Sequence, residues 1–279
     1  MKREFVKYSS ILLLMAGLLT FAGCCKADGD ENGGEQPNVN LNEFQPLIYT
    51  VPYFVAPDSA EDVRVVVNVE GYGIEEGEVL YAHTGVLTTD STDNGDWKYV
   101  KHDWGVNEVD CCLAHEGGTI YSLVIKGGPR AFYNVGTEDV LTAMTFVFRN
   151  ANATKVVKAY GGIADFVLPL YAADATAAQI LAPSAGSMVY VGEPCQFLVV
   201  AQNIPEGYQI YSVEYNFAEE DQEPTFAHIA SLNNGVNKFE YTFDAPKSLS
   251  ICCGGEASQY FALCRSGITV IERPNSENQ

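Results

Sequence analysis

Trp97 and Trp104 are the only tryptophans of the chain, and both lie in a polar stretch that runs from Glu78 to Gly105. An indole ring is a large flat surface whose partial negative charge favours the aliphatic hydrogens on one face of a pyranose ring. Polar side chains around such a platform can bind the hydroxyl groups at the rim of the sugar. The residue types and their spacing therefore predict a site for stacking against a carbohydrate.

Neighbouring residues could complete this site. Tyr99 can extend the aromatic platform, because it shares strand parity with Trp97. Trp104 lies an odd number of residues from Trp97, so a bend at His102 and Asp103 is expected if both indoles face one ligand. The candidates for binding hydroxyl groups at the rim are His83, Lys98, Lys101 and Asn107.

The alternative for each aromatic residue is a place in the protein core, where large apolar side chains are more often found. We assign this structural role to Tyr81, Tyr121, Phe146 and Phe148. Arg149 and Asn150 follow a predicted buried strand, and for both we favour structural hydrogen bonds over ligand contacts.

The elements that must position these residues follow the period of β-strands. Apolar and polar residues alternate over 63–69, 144–148 and 239–243, as they do when one face of a strand is buried. Further strands are predicted over 119–125, 166–171, 197–201 and 209–217, and 137–141 allows at most a short helical turn. Many short strands separated by Gly, Asn, Asp and Pro predict an all-β chain of antiparallel sandwiches.

The first 23 residues have the features of a secretory signal: basic residues, then an apolar run over 11–21 that is too short to span a bilayer, then small residues. Cys24 follows Ala-Gly directly, so the segment resembles a bacterial lipoprotein signal in which Cys24 becomes the acylated first residue. Phe21 stands where such signals usually carry Leu, and Cys25 offers a competing register. An ordinary cleaved signal peptide is the alternative.

Residues 24–44 contain few apolar residues and predict a solvated acidic tether. Lipoproteins of Bacteroidetes carry a similar acidic run after the lipidated cysteine, where it directs export to the outer face of the outer membrane. The resemblance implies a lipid-anchored protein of the outer membrane that is exposed at the cell surface. A plain disordered linker is the alternative.

The charge of the chain restricts its partners. Without residues 1–23 it has 13 Lys and Arg against 35 Asp and Glu, which is a formal charge of −22. Such a surface repels nucleic-acid phosphates and anionic lipid headgroups, so neutral ligands fit better. Outer-membrane lipid is then expected as a partner only through the acyl chains on Cys24.

Neither a metal nor a cofactor is predicted. Besides Cys24 and Cys25, the cysteines are Cys111, Cys112, Cys195, Cys252, Cys253 and Cys264. Adjacent cysteines point to opposite faces of a strand, so the vicinal pairs are not expected to bridge, and most of these residues are expected to be small buried hydrophobes. The chain has no Cys-x-x-Cys motif, and its four histidines are not spaced as zinc ligands.

A change of pattern between Leu170 and Gln179 divides the part of the chain that follows the tether. We predict one sandwich over 45–174, a second over 175–274 and a disordered tail over 275–279. The segment 181–193, LAPSAGSMVYVGE, resembles the opening of an immunoglobulin-like domain, where a turn of this kind joins the first two strands. The second sandwich is therefore expected to be immunoglobulin-like.

Six ordered motifs in the first predicted sandwich resemble a module of Bacteroidetes proteins that is similar to starch-binding modules of carbohydrate-binding family 25/26. They are 81–86 (YAHTGV), 96–101 (DWKYVK), 103–107 (DWGVN), 131–135 (AFYNV), 145–150 (TFVFRN) and 161–166 (GGIADF). Modules of this type often precede an immunoglobulin-like domain and a glycoside hydrolase family 13 α-amylase barrel. The resemblance implies a β-sandwich that binds α-glucan, as starch or maltooligosaccharide.

No enzymatic activity is predicted. A family 13 barrel needs about 250 residues, whereas about a hundred follow the module. The acidic residues near the tryptophans have no second carboxylate that sequence spacing pairs with them across a sugar ring. The sequence also has neither a nucleophile elbow nor a phosphate-binding loop after a strand.

Three hypotheses for function remain. The favoured one is a non-catalytic cell-surface lipoprotein that captures α-glucan for partner hydrolases and transporters in polysaccharide utilisation. The second is an accessory part of a truncated or split family 13 α-amylase. The third is a structural or adhesive surface protein whose sandwiches act as spacers, and it predicts that the aromatic side chains of the first sandwich are packed inside.

Overall fold

The computed structural model describes residues 47–214, 223–258 and 262–273. The predicted signal peptide, Cys24, the acidic tether and the tail over 275–279 lie outside the described residues. Within them the chain is nearly all β, which confirms the predicted fold class at that level. No helix in these three ranges is long and apolar enough to cross a membrane.

The first eight strands form two antiparallel sheets. They are β1 (Ile48–Val51), β2 (Val63–Asn68), β3 (Leu80–Thr88), β4 (Ala114–Gly117), β5 (Ile120–Ile125), β6 (Leu141–Asn150), β7 (Val156–Val157) and β8 (Phe166–Pro169). One sheet has the order β1-β2-β5-β4, and the other has the order β3-β6-β7 with β8 also paired to β6. Three short helical segments connect them: a 3-10 helix over Val109–Cys111, α1 (Gly128–Phe132) and α2 (Ala159–Gly162).

The remaining strands form two further sheets. They are β9 (Ala177–Ala182), β10 (Met188–Tyr190), β11 (Pro194–Gln202), β12 (Gln209–Glu214), β13 (Thr225–Ser231), β14 (Gly235–Thr242), β15 (Lys247–Gly254) and β16 (Cys264–Ile271). The smaller sheet has the order β14-β11-β9, and the larger has the order β10-β16-β15-β12-β13. We refer to β1–β8 as the first sandwich and to β9–β16 as the second.

Each sandwich encloses its own core, because alternate side chains of its strands point to the same face. In the first sandwich the core includes Phe146 and Phe148 of β6 and Tyr121 of β5, all at most 1% exposed, which confirms their predicted role. The core of the second sandwich is built in the same way around Phe197 of β11 and Ile251 of β15.

Two strands are buried on both faces, and their outer faces join the sandwiches. β2 and β11 each place alternate residues in their own core, and their remaining apolar residues meet in a third cluster. The buried members of this cluster are Tyr49, Val66, Leu181, Ala182, Leu198 and Val200. The side-chain amide of Gln179 also donates to the carbonyl oxygen of Tyr53 at 3.0 Å. The two sandwiches therefore share an interface with an apolar centre.

The structure corrects three expectations about elements and core. β10 pairs with β16 in parallel, although only antiparallel pairing was expected. Tyr81 is only partly buried, because it lies on the outer face of β3, where the guanidinium carbon of Arg149 is 5.6 Å from its ring centroid. β13 and β16 were not predicted, since their sequences contain few large apolar residues and hence a weak period. Neither were β1, β4 and β7, which are too short to show a period.

Most of the described cysteines behave as expected. Cys111, Cys195, Cys252 and Cys253 are buried free thiols, and Cys264 is a partly buried free thiol. Neither vicinal pair bridges within itself, because Cys111, Cys252 and Cys253 are all free. Cys112 differs from these residues because it is disulfide-bonded.

Candidate functional site

The two faces of β3 separate the core from the candidate site. Leu80, Ala82 and Val86 point into the core of the first sandwich. Because successive side chains of a strand point to opposite faces, Tyr81 and His83 point outward and are only partly buried. The outer face of β3 therefore carries the histidine that the sequence predicted for the site.

The segment after Trp97 runs along the edge of β3 that faces away from β6. The amide of Val86 donates to the carbonyl oxygen of Lys98 at 2.9 Å, and the amide of Lys98 donates to that of Val86 at 2.8 Å. The amide of Lys101 donates to the carbonyl oxygen of Thr84 at 2.9 Å. These bonds satisfy backbone groups of β3 and fix the position of Trp97 beside it.

Gly85 allows this segment to approach β3 closely. A Cβ atom at Gly85 would lie 3.0 Å from the carbonyl oxygen of Lys98 and 3.4 Å from the Cα atom of Val100. Both neighbours are backbone atoms that cannot move without shifting the whole segment. The missing side chain is therefore a requirement of the close packing that places Trp97 over the outer face of β3.

His83 brings the two tryptophans together. Its ring stacks on that of Trp97, with centroids 5.4 Å apart and an interplanar angle of 27°. It also makes an edge-to-face contact with Trp104, with centroids 5.2 Å apart and an angle of 85°. Trp97 is partly buried and Trp104 is 49% exposed. The backbone bends at Lys101 and His102, so both indoles reach the same side of β3.

The loop that carries Trp104 is held by a buried arginine. Arg149 of β6 is 1% exposed, and its guanidinium donates to the carbonyl oxygen of Val106 at 2.6 Å and to Oδ1 of Asn107 at 2.8 Å. The guanidinium carbon also lies 5.7 Å from the centroid of Trp104. A planar fork with several donors suits this role, because it binds two loop atoms while its face packs on an aromatic ring.

Asn150 has the structural role that we expected. Its side-chain amide donates to Oε1 of Glu78 at 2.9 Å, and Glu78 also forms an ion pair with Lys155 at 2.8 Å. The hydrogen bond from Lys155, followed by the one from Asn150, lowers the pKa of the Glu78 carboxyl to about 2. The group ties the residues before β3 to the turn between β6 and β7.

The aromatic cluster borders an open cleft of about 590 Å³. Its apolar surface comes from His83, both indoles and three valines, and its polar lining comes from Asp96, Lys158 and Asp165. Nζ of Lys158 lies 2.8 Å from Oδ1 of Asp165. An aromatic surface with polar groups at its margin is the arrangement that a pyranose requires.

Burial keeps His83 neutral to a lower pH than an exposed histidine. Removal of the ring from water lowers its pKa below 6.5, and the positive charge of Arg149 acts in the same direction. A hydrogen bond with the backbone of His102 opposes this shift without reversing it. A neutral imidazole that donates its only N–H to this backbone carbonyl keeps its other ring nitrogen as an acceptor for one hydrogen bond at the edge of the cleft.

Tyr99 does not extend the platform, which corrects the sequence prediction. Its backbone φ is 50°, a left-handed conformation that interrupts the alternation on which strand parity depends. Its side chain is 39% exposed, and its hydroxyl donates to Oδ2 of Asp139. Tyr99 is not among the residues that line the cleft.

The three other predicted rim residues are also absent from the lining of the cleft, and each donates to another group of the protein. Nζ of Lys98 donates to Oδ1 of Asp96 at 2.7 Å, and Nζ of Lys101 donates to the last carbonyl oxygen of α1 at 2.8 Å. Nδ2 of Asn107 donates to the carbonyl oxygen of Ala151 at 3.0 Å. Among the predicted site residues, His83, Trp97 and Trp104 are the ones that the fold brings together at the cleft.

Sequence reasoning missed the polar side of the cleft. Lys158 and Asp165 flank α2, far along the chain from the tryptophans, and no spacing rule connects the two regions. Asp165 does belong to one of the six motifs that carry the family resemblance, so that motif was the available signal. Asp96 also belongs to one of these motifs, over 96–101, and it precedes Trp97 directly.

A second group of potential ligands lies near the cleft, at His102, Asp110 and Cys111. Nε2 of His102 is 2.7 Å from Oδ1 of Asp110, and Nζ of Lys101 is 3.3 Å from Oδ2 of the same aspartate. Burial raises the pKa of the Cys111 thiol to about 12, which favours the neutral thiol over the metal-binding thiolate. An ammonium group already balances the carboxylate, so this group is poorly suited to a metal ion.

Comparison with known proteins leaves the family open. No family model matches the chain, and no curated protein matches it. Among solved structures, the chain is similar to a chimeric titin Z1Z2-Z1Z2 tandem functionalized with a GRGDS exogenous peptide from fibronectin. The identity is 13% and the TM-score is 0.23, over 77% of this chain and 93% of that one. This TM-score is too low to indicate a shared fold.

Proposed function

We propose that the chain is a non-catalytic lipoprotein that binds α-glucan at the cell surface and keeps it near partner hydrolases and transporters. In this proposal a starch-binding-like sandwich is followed by an immunoglobulin-like one, and acylated Cys24 anchors the protein in the outer membrane. The observation that carries the proposal is the half-exposed Trp104 beside the stacked pair of His83 and Trp97, at an open cleft.

The chemistry of the cleft suits a neutral sugar. The C–H face of a glucose unit can pack on an indole, and its hydroxyl groups can bond to His83, Lys158 or Asp165. The lysine and the aspartate neutralise each other at 2.8 Å, so the cleft does not demand a charged ligand. Burial of the apolar face of the sugar against an indole contributes about 25 cal/mol per Å² of apolar surface removed from water.

The exposure of Trp104 favours binding over a purely structural role. The spacer hypothesis predicts aromatic side chains packed inside the first sandwich, whereas Trp104 is 49% exposed. An accessory part of a split family 13 amylase would use the same cleft. That alternative is distinguished by an adjacent coding region that supplies the catalytic barrel.

Affinity electrophoresis tests the proposal. The chain from Cys24 to Gln279 is run in native gels with and without amylopectin or glycogen, and the polysaccharide is expected to retard it. Trp97→Ala and Trp104→Ala each remove one stacking surface, so each is expected to weaken binding about tenfold or more, since 1.4 kcal/mol corresponds to a factor of ten.

Phe226→Ala is the matched control, because Phe226 is an exposed aromatic residue, 37% accessible, on β13 of the second sandwich. It is expected to migrate like the wild type, and thermal melting checks that every variant is folded. The proposal fails if the wild-type chain is not retarded, or if folded Trp97→Ala and Trp104→Ala variants are retarded as strongly as the wild type.

A further inference from the structure

A second cavity adjoins the tryptophan cleft. It has a volume of about 560 Å³ and lies where the two sandwiches meet. Leu47 and α2 line it from the first sandwich, and Leu181 and Ser184 line it from the second. Gly95, Lys158 and Asp165 line both this crevice and the tryptophan cleft. The two spaces are therefore neighbouring parts of one groove.

Tyr160 supplies an aromatic surface in the crevice. It lies in α2 and is 54% exposed, and Ile163 beside it is 85% exposed. A Cβ atom added at Gly186 of the second sandwich would lie 3.7 Å from Cδ1 of Tyr160. The tyrosine ring therefore reaches across to the second sandwich while keeping half of its surface accessible.

The backbone at Tyr160 is held in an unfavourable conformation. Its φ and ψ are 52° and 45°, and Gly161 follows with a φ of 66°. A left-handed conformation is costly for a bulky residue and common for glycine or asparagine. Because the tyrosine ring is half exposed, core packing does not account for keeping a bulky residue in this conformation.

The turn that carries Tyr160 is fixed to the rest of the first sandwich. The hydroxyl of Tyr72 donates to the carbonyl oxygen of Lys158, and the amides of Ile163 and Ala164 donate to that of Ala159 at 3.1 and 3.2 Å. The ion pair between Lys158 and Asp165 closes the turn. Tyr160 is thus presented by an ordered element.

We infer that the glucan site continues from the tryptophan cleft into the crevice, where Tyr160 is a second stacking platform for the same glucan chain. This inference rests on the proposed function. The occupant is one chain because Gly95, Lys158 and Asp165 border both spaces, and the tyrosine offers the surface that a further sugar unit needs. A short oligosaccharide fills the tryptophan cleft alone, whereas a longer one also reaches Tyr160.

Isothermal titration calorimetry with maltotriose and maltoheptaose tests the inference on the chain from Cys24 to Gln279. The wild type is expected to bind maltoheptaose more tightly than maltotriose. Tyr160→Asn removes the ring while tolerating the left-handed backbone, so we expect it to weaken maltoheptaose binding about tenfold and leave maltotriose binding unchanged. Tyr160→Phe keeps the ring and is expected to bind both as the wild type does.

Trp97→Ala separates this inference from the proposed function, because it is expected to weaken binding of both oligosaccharides. If the wild type binds neither, the proposed function fails, and the inference fails with it. If Trp97→Ala weakens both while folded Tyr160→Asn binds maltoheptaose like the wild type, the function stands and only the extension into the crevice is wrong. Thermal melting confirms that Tyr160→Asn is folded.

Discussion

His83 is the residue on which the geometry of the candidate site depends. It lies between two indoles, with ring centroids 5.4 Å from Trp97 and 5.2 Å from Trp104. A charged imidazolium would gain from the faces of the indoles, yet desolvation is the larger effect and lowers the pKa of His83. The site is therefore arranged around a neutral histidine.

This histidine makes stability depend on pH below neutrality. The pKa of His83 is lower in the folded protein than the 6.5 of an unfolded chain, so the unfolded state binds more protons between these two values. The stabilisation is complete above pH 6.5 and is lost as the pH falls towards the folded pKa. Urea unfolding at pH 7.5 and 5.0 is expected to show a smaller loss of unfolding free energy for His83→Gln than for the wild type.

His115→Gln is the control for this experiment, because His115 is an exposed histidine on the other sheet of the first sandwich. Its loss of unfolding free energy between the two pH values is expected to equal that of the wild type. Equal losses for His83→Gln and the wild type would contradict the assignment of a neutral, buried role to His83.

At the scale of elements, the site depends on a loop that adds itself to the edge of a sheet. β3 uses one edge to pair with β6 and the other to bind the backbone of Lys98 and Lys101. Arg149 then holds the continuation of the loop through the carbonyl oxygen of Val106. Strand, loop and arginine together place both indoles on one side of the first sandwich.

Gly85→Val tests the contact between this loop and β3. The new side chain would collide with backbone atoms of the loop, because even a Cβ atom would lie 3.0 Å from the carbonyl oxygen of Lys98. We expect the loop to move away and binding of amylopectin to weaken about tenfold or more, with a loss of stability of about 1–3 kcal/mol. Affinity electrophoresis and urea unfolding measure the two effects.

Gly267→Val is a suitable comparison, because Gly267 lies in β16 and a Cβ atom there would meet nothing within 4 Å. It is expected to leave glucan binding unchanged. If Gly85→Val binds amylopectin as tightly as the wild type, then the close approach of the loop to β3 does not position the indoles.

At the scale of the whole molecule, the interface between the sandwiches positions the crevice. Leu198 and Val200 of β11 are buried against Val66 of β2 and Tyr49 of β1. The amide of Leu47 also donates to Oγ of Ser184 at 3.2 Å. These contacts fix the position of the second sandwich relative to Tyr160. Leu181 and Ser184 therefore line the crevice at a fixed distance from the tyrosine.

Leu198→Asp is expected to uncouple the two sandwiches. Leu198 is 1% exposed, and a carboxylate at this position would be buried without a partner, at a cost of about 3 kcal/mol or more. Differential scanning calorimetry is expected to show one cooperative transition for the wild type and two transitions, the first at lower temperature, for the variant.

Leu263→Asp provides the matched surface control, because Leu263 is already 36% exposed. It is expected to melt in one transition near that of the wild type. A single unshifted transition for Leu198→Asp would mean that the cluster between the sandwiches contributes little to their coupling.

The sequence determined the local pattern. Alternation of apolar residues predicted β2, β6 and β14, because a strand buries one face at a time. The residue types also proposed His83, Trp97 and Trp104 as members of one site, on the condition that the chain bends between the two indoles. The apolar runs in β2 and β11 also indicate burial on both faces, and both strands lie at the interface between the sandwiches.

Only the tertiary structure decided which side chains the cleft contains. Side chains alternate between two faces only while the backbone stays extended. Tyr99 has a left-handed backbone conformation in a loop, so its side chain does not share a face with that of Trp97. The groove also contains residues that lie far along the chain from the tryptophans, namely Lys158, Tyr160 and Asp165. Ser184 reaches it from the second sandwich, where it accepts a hydrogen bond from Leu47, 137 residues away in the sequence. Periodicity describes neighbours along a strand, whereas a crevice between two sandwiches is created by packing that no local spacing records.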